Sequence, residues 1–569
     1  MNQETKNCQN CHNDFVIEPD DFSFYEKMKV PAPTWCYNCR FQRRGAFRNQ
    51  MNLYSVKCGL CEKPTLAMYP PNSPFPVYCQ SCWWSDNWDP LTYGKDYDFS
   101  RPFFVQYHEL LERTPRLALS NKNAVNSEYC NYTVNNKNCY LCFSTGHSED
   151  CLYCGPNMTK NKSCINCAML YNSEQCYSSV DCDKCYATHY GQNSENCLNS
   201  AFLFNCRNVQ DCLGCVNLRN KKYCIFNEQF TKEEYEQKLK DYNLGSHKNL
   251  LKFQEQFQVF LRSQMHRFMQ SINSMDVSGD NILNSKNCKM CFSTNNSENC
   301  KYSYVINGAH DCYDVSGVYP MAELSYDSFS IVESSRVRFN LAAISGCVDL
   351  QYTDSCASTK HAFGSISLRN KQYCILNKQY AKEEYEELVP KIIQQMMDVP
   401  YADSKGRVYK YGEFFPPEFS PFGYNDTLAQ EFFPKTIDEI KNQGWRWQEP
   451  IERELNITIK TEEVPDDIAD TTDDILQATI ECAHKKQCNE SCTGAFKILA
   501  FELAFYRQQG IALPRICVKC RAFERIKRRN PLKLWKRTCN KCEKAIETSY
   551  SPDRPEIIYC ESCYQQEVV

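Results

Sequence analysis

The sequence predicts a mainly β protein: a two-lobed, parallel β-helix-like solenoid flanked at both termini by duplicated cysteine-rich modules, with a few connecting helices. Three observations carry this expectation. Paired cysteines in the first 82 residues recur in the last 82 at a constant shift of 481 positions. Two segments of the middle recur at shifts of 149 and 150. Within that middle, cysteines return every 21–25 residues, many behind short polar runs such as NSENC, at 193–197 and again at 296–300.

Length and composition bound the rest. A chain of 569 residues with 42% hydrophobic residues holds several domains with packed cores. The net charge of −4 excludes a polyanion-binding surface spread over the whole chain. The 39 cysteines are an odd number, which argues against complete intrachain pairing. The start, MNQETKNCQN, carries no apolar targeting region, and no uninterrupted apolar run is long enough to span a bilayer. The expected setting is a reducing cytoplasm, where thiols serve as metal ligands or as buried packing groups.

The terminal modules come first. The N-terminal one pairs Cys8/Cys11, Cys36/Cys39, Cys58/Cys61 and Cys79/Cys82; the C-terminal one pairs Cys488/Cys492, Cys517/Cys520, Cys539/Cys542 and Cys560/Cys563. At the shift of 481, seven of the eight N-terminal cysteines fall on a cysteine, and Cys8 falls on Asn489, beside Cys488. CYNCR (36–40) matches CVKCR (517–521), and VYCQSC (77–82) matches IYCESC (558–563). Two knuckles, each supplying two thiolates from a tight loop, complete the tetrahedron that Zn²⁺ prefers, and the metal replaces a core too small to form alone. The prediction is therefore a double zinc ribbon at each end and four structural zinc ions, with all-cysteine ligation leaving no position for a reactive water. The fourth ribbon departs from the pattern: CAHKKQCNESC (482–492) also offers Cys482 and His484, and Cys488 is expected as the ligand because it lies beside the mapped position.

Basic charge gathers on these modules. Between Arg515 and Lys544 stand 12 Lys or Arg and two acids. Arg40, Arg43, Arg44 and Arg48 in one module, and Arg521, Arg525, Lys527, Arg528, Arg529, Lys533, Trp535, Lys536 and Arg537 in the other, are the candidate nucleic-acid contacts: cations for phosphate, an aromatic for base stacking. The competing reading balances these arginines against the acidic segment at 452–474.

In the middle, NKNCYLCFSTGHSEDCLY (136–153) recurs as SKNCKMCFSTNNSENCKY (285–302), and LRNKKYCIFNEQFTKEEYEQKL (218–239) as LRNKQYCILNKQYAKEEYEELV (368–389). Steps of 21–25 residues between cysteines fit one coil of a parallel β-helix, with Asn and Ser in the turns and each thiol pointing inward. Zinc knuckles are the alternative for the middle CxxC pairs, but the second lobe keeps only Cys288/Cys291, and a ligand set does not survive the loss of half its members. The resulting boundaries are a double ribbon at 1–90, a connector at 91–120, a first lobe with a terminal helix at 121–240, a helical connector at 241–274, a second lobe with its helix at 275–397, an aromatic and proline-rich docking segment at 398–450, a loose acidic linker at 451–475 and a second double ribbon at 476–569. Thr231 caps the first lobe's helix with Glu234 three residues on, whereas Ala381 stands in its place in the second.

With these residues set out, the chain resembles an uncharacterised family of bacterial proteins with terminal zinc ribbons, widespread in candidate-phylum (Patescibacteria-type) genomes. The stretches that carry the resemblance are FYEKMKVPAPTWCYNCRFQRR (24–44), PVYCQSCWWSDNWDP (76–90), GEFFPPEFSPFGYNDTLAQEFFP (412–434) and YSPDRPEIIYCESC (550–563). The resemblance covers most of the chain; it implies zinc binding in a bacterial cytoplasm and no activity.

The functional expectation is a non-enzymatic zinc-binding scaffold that binds nucleic acid or a nucleoprotein through its basic ribbons, with no membrane and no small-molecule substrate. The alternative is a protein–protein scaffold that uses the solenoid face and keeps the ribbons as caps. A carbohydrate-acting β-helix enzyme ranks third. It needs paired carboxylates on one face, and Asp181 and Asp183 are the pair on offer.

Overall fold

Nearly every third residue in the middle of the chain takes a left-handed backbone conformation. From 132 to 153 these are Tyr132, Asn135, Asn138, Leu141, Ser144, His147, Asp150 and Tyr153. Each is followed by a buried side chain: Thr133, Asn136, Cys139, Cys142, Thr145, Ser148, Cys151 and Cys154. Asparagine is the residue met most often at the left-handed positions, because its short amide tolerates positive φ better than most side chains with a Cβ. NSENC is two such steps: Asn193 and Asn196 have φ of 51° and 54°, and Ser194 and Cys197 are buried.

In a computed structural model, which describes residues 2–451, 454–488 and 490–568, these three-residue steps stack into parallel ladders. The pairing repeats every 12 residues: Tyr186 with Leu198, Leu198 with Gln210, Gln210 with Lys222. In the second copy Lys286 pairs with Glu298, and Glu298 with His310. One residue is occasionally added, as between Thr145 and Met158. The repeat of the parallel pairing is thus 12 residues, not the 21–25 expected from the thiols. A step of 25, such as Cys151 to Cys176, passes through Cys164 and spans two turns of the ladder. A step of 21 is one turn plus three further corners.

The buried positions are small and polar for a reason. Each corner leaves backbone groups facing inward, and buried polar groups must be paired. Ser127 Oγ accepts from the Cys139 amide one turn on (3.0 Å) and donates to the Val125 carbonyl (2.9 Å). Ser194 does the same between the Cys206 amide and the Gln192 carbonyl. Thiols take the corresponding place as weak donors, Cys130 Sγ to the Cys139 carbonyl at 3.3 Å. The middle cysteines are all buried.

Contacts divide the chain into two compact units that do not follow chain order. One joins Met1–Ser120 to Ser271–Glu449; the other joins Asn121–Gln270 to Pro450–Val569. The first therefore holds the N-terminal module with the second repeat, and the second holds the C-terminal module with the first repeat.

In the first unit the segment at 398–450 buries Phe414, Phe415, Phe419 and Phe422. In the second, the acidic stretch expected to be loose is built into the fold, apart from Glu452 and Arg453, which lie outside the described residues. Short 3₁₀ turns at Thr461–Glu463, Ile468–Asp470 and Asp473–Leu476 carry Val464, Ile468 and Ile475 into a core shared with Leu503 and Tyr506. Burial of these apolar side chains outweighs the charge of their neighbours. Thr231 accepts from the Glu234 amide at the start of the helix Lys232–Tyr242, whereas the helix Lys382–Asp398 begins at Ala381 without a side-chain cap.

Candidate metal centres

Each terminal module is built from antiparallel hairpins whose turns carry cysteines. Cys8 and Cys11 lie between the strands Glu4–Asn7 and Asp14–Ile17; Cys58 and Cys61 lie between Tyr54–Lys57 and Pro64–Ala67. Cys539 and Cys542 lie between Trp535–Thr538 and Ala545–Thr548. The second pair of each ribbon sits at the start of a helix: Cys36 precedes Tyr37–Gly45, Cys79 precedes Gln80–Trp84, Cys517 precedes Val518–Lys527 and Cys560 precedes Glu561–Val568. Helix N-termini favour negative charge.

Four all-cysteine groups result: Cys8, Cys11, Cys36 and Cys39; Cys58, Cys61, Cys79 and Cys82; Cys482, Cys492, Cys517 and Cys520; Cys539, Cys542, Cys560 and Cys563. In each group the ligand atoms lie within 4.8 Å of one another. Sulfurs bound to one tetrahedral ion at Zn–S of about 2.3 Å are about 3.8 Å apart. The observed separations bracket that edge: 3.7 Å for Cys11–Cys36, 4.0 Å for Cys61–Cys79, 3.9 Å for Cys492–Cys517 and 3.7 Å for Cys542–Cys560. The donor sets fit a soft or borderline divalent cation.

One ligand differs from expectation. Cys482, not Cys488, completes the third group. A recurrent amide identifies it. The N–H of Cys36 donates to Cys8 Sγ at 3.2 Å, that of Cys79 to Cys58 at 3.3 Å and that of Cys560 to Cys539 at 3.2 Å; the N–H of Cys517 donates to Cys482 at 3.2 Å. The constant shift failed because Cys482 and Cys492 are ten residues apart where Cys8 and Cys11 are three apart. A local signal was present: the strand-ending TIEC (479–482) parallels TKNC (5–8).

The thiols of these groups respond to one another and to the amides around them. Hydrogen bonding with Cys36 and Cys39 holds Cys8 far below the usual thiol value. At Cys58 burial opposes ionisation, but the amides of Cys61, Cys79 and Leu60 prevail and bring it down to about 6. Cys539 is brought down to about 6 in the same way, against burial, by the amides of Cys560, Cys542 and Lys541.

The arginines singled out for nucleic acid are largely enclosed. Arg40 pairs with Asp314 at 2.9 Å; Arg43 pairs with Glu413 at 3.0 Å, and Arg44 with Asp327 at 2.7 Å. Arg48 donates to Ser330 Oγ. All four are buried. In the other unit Arg521 pairs with Glu502 at 3.2 Å, and Arg525 donates to Asn166 and to the Tyr153 carbonyl. Arg528 donates to the Ser178 carbonyl, and Arg529 to Asp181 at 2.8 Å. The buried guanidinium groups of Arg40, Arg43, Arg44, Arg48, Arg521 and Arg525 are desolvated and take their partners within the fold, whereas Arg528 and Arg529 are half-buried. Lys527 is exposed but bonded to Glu490. Arg537 is half-buried and donates to the Ser551 and Glu556 carbonyls. Lys533 and Lys536 are exposed, and Lys533 lies over the Trp535 ring at 5.1 Å. The carboxylates offered for sugar chemistry are likewise engaged, Asp181 by Arg529 and Asp183 by the Asn172 amide at 2.8 Å. Among the described residues no helix is long and apolar enough to cross a membrane.

No family model and no curated protein matches this chain. Among solved structures it is similar to one described as a putative acetyltransferase from Desulfovibrio desulfuricans, at 9% identity over 57% of this chain and 81% of that one. The TM-score of 0.10 is too low for that likeness to carry any argument.

Proposed function

We propose that the chain is a non-enzymatic zinc-binding scaffold, in which each lobe of a two-lobed β-solenoid is clamped by a metal-stabilised double ribbon and offers its outer face to a protein partner. The observation that carries this reading is the fate of the ribbon arginines: Arg40, Arg43, Arg44, Arg521 and Arg525 end on acids, amides and carbonyls of the chain itself. The ribbons act as clamps, and binding falls to the exposed rows of the solenoid. Those rows are regular: the Asn126 amide donates to Asn138, and Asn138 to Asp150, one turn apart at 3.1 and 3.0 Å.

The nucleic-acid reading retains Lys533, Trp535 and Lys536 on the hairpin of the C-terminal ribbon. Two measurements separate the readings. Fluorescence anisotropy with single-stranded RNA and DNA at low salt is expected to show no saturable binding; salt-dependent binding that Lys533→Ala/Lys536→Ala abolishes would restore nucleic acid as the ligand. A photo-crosslinker at Asn138 is expected to capture a protein in source cells, and one at Lys536 is not. Capture of nucleic acid from position 536 alone overturns the proposal.

A further inference from the structure

The long knuckle between Cys482 and Cys492 introduces His484, Cys488 and Glu490 beside Cys520, and their ligand atoms lie within 4.8 Å of one another. Cys520 already belongs to the all-cysteine group on its other side. Its sulfur is 3.8 Å from Cys488 Sγ, the separation of two thiolates on one tetrahedral ion. Glu490 is only 6% exposed. Its Oε2 faces His484 Nδ1 at 3.3 Å, yet neither atom has a hydrogen-bond partner. Buried, unpartnered polar atoms converging on one point leave room for a cation between them.

The N-terminal module supplies an internal comparison. There the counterpart of Cys520 is Cys39, and its sulfur accepts from the Asn10 amide at 3.3 Å. That module has the three-residue knuckle, and among the described residues it brings no further ligand to Cys39. In the C-terminal module the outward side of the equivalent sulfur meets a thiol, an imidazole and a carboxylate instead. A divalent ion there would meet one new thiolate, from Cys488, and the free Oε2 of Glu490, whose Oε1 is held by Lys527, while Cys520 is shared.

Resting on the zinc reading of the all-cysteine groups, we propose that Cys520 is a bridging thiolate. One divalent cation of the zinc class is held by Cys482, Cys492, Cys517 and Cys520, and a second by His484, Cys488, Glu490 and Cys520. The chain then carries five ions, and its C-terminal module a two-metal cluster that the N-terminal module lacks.

Native mass spectrometry of the full chain loaded with Zn²⁺ tests this. Five ions are expected in the wild type and four in Cys488→Ala, with unchanged circular dichroism. Glu490→Gln and His484→Ala, which keep all the thiols, are each expected to lose the same ion. Zinc-edge X-ray absorption is expected to show a metal–metal scattering path that Cys488→Ala abolishes. Four ions in the wild type, or a count that Cys488→Ala leaves unchanged, overturns the inference while leaving the all-cysteine sites standing. Fewer than four overturns the zinc reading and this inference with it.

Discussion

The Tyr153 hydroxyl donates to the Glu502 carboxylate at 3.0 Å. The bond has a twin: Tyr302 donates to Asp21 at 3.1 Å. Tyr302 stands 149 residues after Tyr153, and Glu502 stands 481 after Asp21, so both partners obey the duplications of the chain. Arg521 lies over the Tyr153 ring at 4.9 Å, as Arg40 lies over Tyr302 at 5.4 Å. The same docking of ribbon on ladder is thus present in each unit, and the arginines near it belong to the docking.

Glu502 is fully buried and also accepts from Tyr506, so its removal strands the Arg521 charge. Glu502→Ala is expected to destabilise its unit by about 3–5 kcal/mol, and Arg521→Ala similarly. The double variant should cost less than the sum. Tyr153→Phe, which removes one hydrogen bond, should cost about 1–2 kcal/mol. Denaturant unfolding followed by fluorescence checks all four; additive losses would detach Arg521 from Glu502.

The 12-residue register predicts what lengths the middle accepts. A second copy of 123–134 inserted after Val134 adds one complete turn and should retain a cooperative unfolding transition. A copy of 123–128 adds half a turn, leaves buried Ser and Cys facing the wrong neighbours and should abolish it. Circular dichroism during thermal unfolding distinguishes them.

The middle thiols and the terminal thiols should respond differently to the same substitution. Cys167 is buried, and its Sγ donates to the Cys176 carbonyl at 3.4 Å. Cys167→Ala is expected to cost about 1–2 kcal/mol and to leave the metal count unchanged. Cys36→Ala should remove one ion. Loss of metal from Cys167→Ala would return the middle cysteines to ligation.

Ala381 has the extended backbone of an N-cap and occupies the place that Thr231 fills in the first repeat. The amide of Ala381 already donates to the Glu384 carboxylate at 3.2 Å. Ala381→Thr should complete the reciprocal pair and stabilise its unit by about 1 kcal/mol, read from the midpoint of chemical unfolding.

Knuckle spacing was legible because ligation fixes it: Cys36/Cys39 and Cys560/Cys563 keep their interval in any fold that binds metal there. The turn length was not, because thiols mark only some corners. Ser127, Thr133 and Leu203 occupy others, so cysteine spacing samples a three-residue step irregularly. The arginines misled for a different reason. Asp314 and Asp327 lie some 270 to 284 residues from Arg40, Arg43 and Arg44, and local charge density carries no trace of them. The third group hid Cys482 behind a longer knuckle, although its preceding strand was there to be read.

The stacked thiols set a condition on how this chain is made. Neighbouring turns of a parallel ladder run about 4.8 Å apart, inside the Cα separation of about 4.4–6.8 Å that a disulfide bridges. Cys212 faces Cys224, and Cys288 faces Cys300, in this register. Once closed, the ladder shuts these sulfurs away from oxidants. While it is still being wound, each is a nucleophile with several near-equivalent mates, and a bond to the wrong one locks the turns out of step. The vulnerable period is therefore synthesis, and the protein's yield should follow the reducing power around the nascent chain more closely than the stability of the finished fold.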